Sequence, residues 1–388
     1  MPNRWWILFV LFFARLTMAF QFQSVAALSP LMLERHGLGL ADIGLLIGLY
    51  LAPGVVVSVP GGAIAGRFGD KRIVAFSLIL MLIGGALIAW GSTWTTLAIG
   101  RLLAGAGGVI INVVMTKMVV DWFEGREIST ALGIFINSWP VGIALALLTL
   151  PGIAAYSGLA LAWLAVLLLI AVGLVLFLLF YRPASGAEAA TLTLTVRNFP
   201  VRALFLAGSV WALYNTALAM VFSFGPALLS ERGLPLTSAS SMTSLFMLLL
   251  ALSLPLGGII ADRTGRRNMV IVISLLGYVL LMPLVLIVPN IAVSAIFLVV
   301  GFLYGLGAGP IVALPSAILP PEIRAFAMGV FWSIYYLWMM LAPALVGAAA
   351  DRAGYTGVAF IMGAVFAGLA IVALGFFRQT HIAPEAAN

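Results

Sequence analysis

The sequence predicts an all-α membrane protein with twelve transmembrane helices, arranged as two six-helix bundles related by pseudo-twofold symmetry. Three observations predict this fold class: an apolar composition, twelve apolar segments of membrane-spanning length, and an internal repeat. Of the 388 residues, 64% are hydrophobic and only 8% are charged, whereas a soluble domain is about one quarter charged. A soluble protein of this composition would expose large apolar patches and aggregate, so hydrocarbon is the solvent that suits it.

A helix needs about 20 mostly apolar residues to cross a bilayer. Twelve segments meet this requirement, and the first begins at the N-terminus without a small-residue cleavage site, which indicates a membrane helix rather than a signal peptide. Proline and glycine inside several segments are tolerated, because neighbouring helices satisfy the freed backbone groups. The predicted spans lie near residues 5–28, 41–65, 73–93, 96–119, 128–149, 157–181, 203–229, 238–261, 269–289, 291–317, 324–349 and 356–377.

The distribution of Lys and Arg predicts the orientation, because cytoplasmic loops carry an excess of both. With the N-terminus inside, the outer loops hold only Arg35, Arg232 and Arg352. We therefore expect a multi-pass protein of the cell membrane, in a bacterium the inner membrane, with both termini in the cytoplasm. The inner loops hold Arg4, Arg67, Lys71, Arg72, Arg126, Arg182, Arg197, Arg202, Arg263, Arg266, Arg267, Arg324 and Arg378.

An internal repeat divides the chain into halves. The segment GAIAGRFGDKR at 62–72 matches GIIADRTGRR at 258–267, and ALGIF at 131–135 matches AMGVF at 327–331. Both matches have the same offset of 196 residues (262 − 66 and 329 − 133). An even number of spans per repeat keeps the two copies parallel. We expect an N-terminal bundle at 1–181, a cytoplasmic linker at 182–202, and a C-terminal bundle with a short tail at 203–388.

The loops after the second and eighth spans resemble the most specific motif of the major facilitator superfamily, G-x-x-x-D-R-x-G-R-R. The second copy is complete, whereas the first has Gly66 where the family has Asp. In the family this Asp caps a helix of the other half and locks one conformation, so the first half lacks the lock unless Asp70 replaces it. The resemblance assigns conformational gating to Gly62, Gly66, Arg67, Asp70, Arg72, Asp262, Arg263 and Arg266.

A second motif, RLLAGAG from Arg101 to Gly107, resembles the family's R-x-x-x-G-x-G in the fourth span. Together the motifs imply a secondary transporter in which two bundles rock around a site near the bilayer midplane. Drug antiporters of the family carry G-P-x-x-G-G in the fifth span, where this chain has NSWPVG at 137–142. That mismatch argues against drug/proton exchange.

Arg15 is the sharpest single indication of a site. It lies about ten residues into the first span, roughly 15 Å along the helix and close to the midplane. A charge at this depth is costly and marks a functional candidate. No Asp or Glu lies near a span centre to pair with it or to relay protons. Arg15 either binds an anionic substrate through its fork of donors, with Gln23 adding an amide, or braces the bundle by binding helix carbonyls.

Polar side chains on the fourth and fifth spans accompany Arg15. Arg101 and Asn112 are eleven residues apart, about three helical turns, so both project from one face. We expect Asn112 in the substrate site, and two roles remain open for Arg101: a gate, or a structural hydrogen bond to the first helix. Asn137 and Trp139 of the fifth span belong to the region that lines the cavity in the resembled family.

Aromatic side chains recur at helical spacing in the seventh and eleventh spans, which are the symmetry mates of the first and fifth. Tyr and Trp offer a hydroxyl or N–H donor together with a π face, which suits a binding site, although aromatic stripes also serve in packing. The candidates for solute binding are Trp211, Tyr214, Asn215, Trp332, Tyr335 and Tyr336.

Several chemistries are excluded or weakened. Cysteine is absent and the only histidines are His36 and His381, so we expect no metal site and no cofactor. No phosphate-binding P-loop motif is present to indicate ATP driving, and no histidine within a span is available to a hydrolytic triad, so we expect no enzyme. Copper transport by methionine stays open with little support. The basic residues form short clusters in loops, not the stripe that would indicate nucleic-acid binding.

These observations predict a monomeric secondary transporter that moves a small organic or inorganic anion by alternating access, with the solute and the lipid bilayer as its partners. Two alternatives remain open: a proton-coupled drug exporter, and a non-transporting receptor or assembly factor on the same scaffold.

Overall fold

The computed structural model describes residues 3–59, 69–123, 127–184, 200–317 and 321–382. Within these ranges every regular element is a helix, and twelve helices are long and apolar enough to cross a membrane. The predicted fold class and number of spans are confirmed.

We label the membrane helices α1 to α12. The first bundle contains α1 Arg4–Ala27, α2 Leu40–Val57, α3 Asp70–Trp90, α4 Trp94–Phe123, α5 Thr130–Ser157 and α6 Leu159–Phe180. The second bundle contains α7 Val201–Glu231, α8 Leu236–Thr264, α9 Arg267–Leu286, α10 Asn290–Val312, α11 Ala327–Ala353 and α12 Val358–Thr380. Most of the predicted linker, 185–199, lies outside the described residues.

Proline and glycine shape the connections between spans. α2 is interrupted at Ala52, because Pro53 has no N–H to continue the hydrogen-bond ladder. A short helix that was not predicted, Ser29–His36, follows α1 and ends at Gly37 with φ 62°, the left-handed cap that glycine favours. α9 closes in a 3-10 turn, Met282–Leu286, with proline in its first turn.

The two bundles meet through exchanged pairs of helices. α2 packs along α11, and α5 packs along α8, so each bundle contributes one partner to each pair as the pseudo-twofold requires. α2 approaches α11 closely because Gly44 and Gly48 lie against the carbonyl oxygens of Pro343 and Met340, where any Cβ would clash. Small residues permit such close backbone contact between membrane helices.

Burial identifies the central helices. The apolar stretches of α1 and α7 are 72% and 83% buried, whereas that of α6 is 28% buried. α1 and α7 therefore lie at the centre of the molecule, and α6 lies at the periphery with its apolar surface available to lipid.

Twelve crossings return the chain to the side on which it starts. We call this side, which carries the start of α1 and the end of α12, the terminus face, and the opposite side the far face. The short helix Ser29–His36 and the junction of α11 with α12 lie on the far face.

Candidate functional site

α1 holds Arg15 at the centre of the molecule, where it is 8% exposed. Its Nε donates to Asn112 Oδ1 of α4 at 2.9 Å. Its Nη1 donates to α5, at 3.0 Å to the carbonyl oxygens of Phe135 and Ile136 and at 2.9 Å to Ser138 Oγ. The guanidinium carbon also lies 4.9 Å from the centroid of the Phe135 ring. Arg15 thus joins α1 to α4 and α5 within the first bundle.

Among the described residues, the groups that contact Arg15 are neutral. In the described part of the chain, no carboxylate forms an ion pair with Arg15. No acceptor there takes a hydrogen bond from its Nη2. A charge removed from water is costly unless an opposite charge compensates it. The positive charge of Arg15 is therefore uncompensated among these residues, and Nη2 keeps two unused N–H donors.

A proline in α5 explains why a backbone oxygen is available to Arg15. Pro140 follows Ile136 by four residues and has no N–H. The Ile136 carbonyl consequently lacks its helical donor and accepts from the guanidinium. Ser138 and this carbonyl were not predicted, although a proline beside a midplane arginine is a signal that the sequence contains.

Asn112 connects Arg15 to the second bundle. Its Oδ1 accepts from Arg15, and its Nδ2 donates to Tyr336 Oη of α11 at 3.1 Å. The contact spans the boundary between the bundles, and Tyr336 is only 2% exposed. Asn112 and Tyr336, both candidates from the sequence, therefore lie together beside Arg15.

Four aromatic side chains of α7 and α11 form what we call the aromatic wall: Trp211, Trp332, Tyr335 and Tyr336. Trp211 lies 6.1 Å from Trp332 and 6.3 Å from Tyr335, measured between ring centroids. Tyr335 lies 4.9 Å from Tyr336. Among the described residues, the buried Trp211 Nε1 has no acceptor, and the Tyr335 hydroxyl makes no hydrogen bond. The aromatic wall thus offers unused donors near Arg15.

Two asparagines predicted for the site have different surroundings. Asn215 donates from Nδ2 to the Trp211 carbonyl one turn earlier in α7, at 2.8 Å. Asn137 has a buried Oδ1 with no hydrogen-bond partner among the described residues. Asn215 is therefore tied to the backbone beneath the aromatic wall, and Asn137 retains an unused acceptor.

Tyr214 uses its hydroxyl within the second bundle. Its hydroxyl donates to the Tyr304 carbonyl at 2.9 Å, and the Tyr304 hydroxyl donates to the Tyr214 carbonyl at 2.8 Å. The two rings stack with centroids 4.2 Å apart in the interior of the second bundle. Because this pair consumes both hydroxyl donors, Tyr214 and Tyr304 brace α7 against α10. The Tyr214 ring also stacks on Trp211, with centroids 5.7 Å apart, and solute contact by Tyr214 stays a prediction.

Gln23 and Trp139 lie on the far-face side of Arg15, and their contact with solute stays a prediction. Gln23 follows Arg15 by eight residues, about 12 Å along the helix, and its Nε2 donates across the bundle boundary to the Phe222 carbonyl at 2.6 Å. The Phe22 ring lies 5.0 Å from Trp139 and 5.8 Å from Phe222. These side chains close the space between Arg15 and the far face.

A carboxylate of the second bundle completes the closure at the far face. Asp351, at the end of α11, accepts the backbone N–H groups of Leu40 at 2.9 Å and Ala41 at 2.8 Å. These are the first residues of α2, where unpaired N–H groups and the helix dipole attract negative charge. The contact ties the two bundles together and was not predicted from the sequence.

The sequence profile of the Major Facilitator Superfamily matches residues 11–229 and, in a second match, residues 203–388. The two matches cover nearly the whole chain. The chain belongs to the Major Facilitator Superfamily. Members of this superfamily are transporters, which confirms the prediction of a multi-pass membrane transporter rather than an enzyme.

Relatives in this superfamily span most of the chain. It is 25% identical to a hexuronate transporter of Bacillus subtilis (strain 168), covering 90% of this chain and 89% of that protein. It is 24% identical to the lysosomal dipeptide transporter MFSD1 of Danio rerio, covering 92% and 83%. It is 22% identical to a cis,cis-muconate transport protein of Acinetobacter baylyi, covering 90% and 88%.

The crystal structure of the nucleoside transporter NupG superposes with a TM-score of 0.78 over 96% of this chain and 99% of that chain, at 16% identity. At that identity the likeness shows the superfamily fold alone.

Arg101, the arginine of the superfamily motif in α4, binds backbone carbonyl oxygens of neighbouring helices. Arg101 is fully buried and donates to the carbonyl oxygens of Leu46 at 2.8 Å, Gln21 at 3.2 Å and Phe22 at 3.1 Å. Its guanidinium carbon lies 4.5 Å from the centroid of the Tyr50 ring. Two of these bonds reach the first helix, as one of the two predicted roles of Arg101 requires. The other predicted role, gating, stays a prediction.

The superfamily loop motif on the terminus face is only partly described. Gly62, Gly66 and Arg67 lie outside the described residues. Asp70 binds Lys117 at 2.9 Å within the first bundle, so it does not reach a helix of the second bundle as a substitute lock. Lys117 also binds Asp121 at 2.8 Å, so two carboxylates share its ammonium group.

The second copy of the loop motif lies at the surface. Asp262 pairs with Arg267 at 3.1 Å, and both are exposed. Arg263 and Arg266 are also exposed, as is Arg72 in the first bundle. The gating roles that the resemblance assigns to these residues stay predictions.

Proposed function

We propose that this transporter moves a small anion, in particular a carboxylate, by alternating access, and that Arg15 binds the negative charge. The supporting observation is the buried guanidinium, which has only neutral partners among the described residues and an Nη2 without an acceptor. Arginine suits this role because its planar fork matches a carboxylate.

Two relatives support the anionic class of solute. Hexuronate and cis,cis-muconate, the compounds in the names of the Bacillus and Acinetobacter proteins, are both carboxylates. The dipeptide named for the Danio protein is a zwitterion, so a zwitterionic solute is one outcome that the test must distinguish.

The solute lies, in this proposal, between Arg15 of the first bundle and the aromatic wall of the second. The anion accepts from Arg15 Nη2, and the Tyr335 hydroxyl and Trp211 Nε1 supply further donors. The aromatic faces pack against the carbon skeleton of an organic anion. Because the two sets of ligands come from different bundles, bound solute biases how the bundles close.

The driving force follows from the placement of carboxylates. In the described spans, every Asp and Glu lies near a helix end, as Asp42, Asp70, Asp121, Glu231, Asp262 and Asp351 do. No carboxylate is therefore placed as a proton relay at the midplane in the described spans. We propose exchange of one anion for another, or symport in which the solute itself carries the proton.

Uptake into proteoliposomes tests the proposed function. Purified protein is reconstituted and assayed with radiolabelled glucuronate, cis,cis-muconate, dialanine and glucose. We expect the wild type to take up at least one of the two anions and to leave glucose outside. Arg15→Ala reduces anion uptake about a hundredfold, in line with the loss of a charged hydrogen-bond partner of about 1.5–3 kcal/mol, and Arg15→Lys retains an intermediate rate.

The control for folding is Arg202→Ala, which removes one exposed charge from the terminus face. Its uptake should match the wild type. Undiminished anion uptake by Arg15→Ala, or a wild type that transports only neutral or cationic compounds, would contradict the proposal.

A further inference from the structure

A cleft of about 790 Å³ opens on the terminus face of the second bundle, away from the midplane site. It lies between the start of α9 and the ends of α10 and α12. Its rim carries three arginines, and its walls are mainly apolar. The lining residues are Gly265, Arg266, Arg267, Asn268, Met269, Val272, Ile273, Pro310, Ala313, Leu314, Phe377 and Arg378.

The internal repeat supplies the matching region of the first bundle for comparison. There the start of α3 and the end of α4 are joined by an ion-pair network, in which Lys117 binds Asp70 at 2.9 Å and Asp121 at 2.8 Å. At the repeat offset of 196 residues, the second bundle has Arg266, Ala313 and Ala317 at these three positions. The side chains that form the network in the first bundle are therefore replaced.

A second contact of the first bundle also changes. Lys71 donates to the carbonyl oxygens of Leu178 at 2.9 Å and Tyr181 at 3.0 Å, which fastens α3 to the end of α6. The repeat places Arg267 at the position of Lys71, and Arg267 instead pairs with Asp262 at 3.1 Å. Among the described residues, Arg267 is thus not seen to make the contact that Lys71 makes, and the cleft lies beside it.

The charges of the two regions differ accordingly. The first bundle has Asp70, Lys71, Lys117, Asp121 and Arg182, with three positive and two negative charges. The matching positions of the second bundle hold Arg266, Arg267 and Arg378, and Asp262 offsets Arg267. No ion pair of Arg266 or Arg378 occurs among the described residues. Both guanidinium groups therefore offer donors to an anion at the cleft.

The walls of the cleft favour acyl chains. Met269 and Ile273 of α9 are 50% and 46% exposed, on a helix that crosses the membrane, so their exposed surface contacts lipid. A basic rim above apolar walls, at the end of a membrane-spanning helix, matches the two ends of an anionic phospholipid. A free phosphate would leave the apolar walls unfilled.

We propose that this cleft binds one anionic phospholipid from the leaflet on the terminus face. Its phosphate accepts hydrogen bonds from Arg266 and Arg378, and an acyl chain lies along Met269 and Ile273. The site exists in the second bundle only, because the ion-pair network of the first bundle occupies the equivalent position. The proposal does not depend on which solute is transported.

Native mass spectrometry of the full-length protein, purified in detergent and titrated with phosphatidylglycerol, tests this site. We expect the wild type to retain one phosphatidylglycerol molecule and to retain phosphatidylcholine far less. Arg378→Ala should weaken retention about fivefold, since each arginine near a membrane surface contributes roughly this factor. Arg266→Asp, which installs the residue of the first bundle, should weaken it further because it reverses the charge.

The repeat provides the matched control, Arg182→Ala, which removes the equivalent charge from the first bundle and should leave retention unchanged. Melting temperatures in lipid-free detergent verify that each variant folds. The proposal is overturned by wild-type retention in both Arg378→Ala and Arg266→Asp, or by an equal loss in Arg182→Ala. Displacement of the lipid by inorganic phosphate alone would also overturn it, because the site would then recognise phosphate without acyl chains.

Discussion

At the scale of single residues, the balance between Arg15 and its partners decides what the central site can hold. Its four acceptors on Asn112 and α5 stabilise the guanidinium, since a hydrogen bond to a charged group contributes about 1.5–3 kcal/mol. They are dipoles, however, and leave the net charge in place. A buried ion costs several kcal/mol even after relaxation of the protein. We expect an anionic solute at Nη2, as proposed, to recover part of this cost.

Changing Asn112 to Asp tests whether net charge governs binding. The new carboxylate takes the position of Oδ1, 2.9 Å from Arg15 Nε, and forms an ion pair that compensates the guanidinium. We expect the dissociation constant for the transported anion to rise at least tenfold, about 1.4 kcal/mol, with no fall in melting temperature. Asn112→Leu is the control, because it removes the same hydrogen bonds without adding charge. Equal weakening by both variants would show that charge is not the determinant.

At the scale of elements, we expect the contact between α2 and α11 to set which face is closed. Asp351 holds the first N–H groups of α2 from the other bundle, while Asp42 accepts from the Gly39 N–H within α2 itself. Both carboxylates lie at the same helix N-terminus, but only Asp351 crosses the boundary between bundles. If the bundles rock as we propose, opening of the far face breaks the Asp351 contact and leaves the Asp42 contact intact.

The absence of cysteine allows this closure to be measured with a single introduced thiol. Ser223 of α7, buried beside Phe222 and 1% exposed, is replaced by Cys and labelled with a membrane-impermeant maleimide. Asp351→Asn should accelerate labelling about fivefold, because a charge at a helix N-terminus contributes about 0.3–1 kcal/mol and up to ~2 when partly buried. Asp42→Asn should leave the rate near the wild-type value. Equal acceleration by both variants would contradict a tie between bundles.

At the scale of the whole molecule, the sequence predicts the architecture better than it predicts the site. Each span must carry about 20 apolar residues, so the twelve spans can be predicted from the sequence without any tertiary information. The partners of Arg15 cannot be predicted in the same way. They come from α4 and α5, and they depend on how those helices are rotated about their axes and packed against α1. Tyr214 shows the same limit. Its helical spacing with Trp211 predicts that the two rings lie together, and they stack with centroids 5.7 Å apart. Its hydroxyl, however, donates to the Tyr304 carbonyl of α10, a partner that the spacing does not reveal.

The orientation of the whole molecule is a separate prediction. Twelve spans place both termini on one face, and the excess of Lys and Arg in the loops of that face predicts that it is cytoplasmic. A green fluorescent protein fused after residue 388 should fluoresce in a bacterial host, and alkaline phosphatase at the same position should be inactive. Active phosphatase there would reverse the assignment and place the Asp351 contact on the cytoplasmic side.

The central claim is that Arg15 supplies the charge that selects an anion, and direct binding tests it most closely. Melting temperatures of purified wild type, Arg15→Ala and Arg202→Ala are measured against glucuronate, cis,cis-muconate, dialanine and glucose. A ligand at a hundred times its dissociation constant stabilises the folded state by about 2.7 kcal/mol. We predict that an anion raises the melting temperature of the wild type and of Arg202→Ala but not of Arg15→Ala. An equal rise in Arg15→Ala would contradict the account.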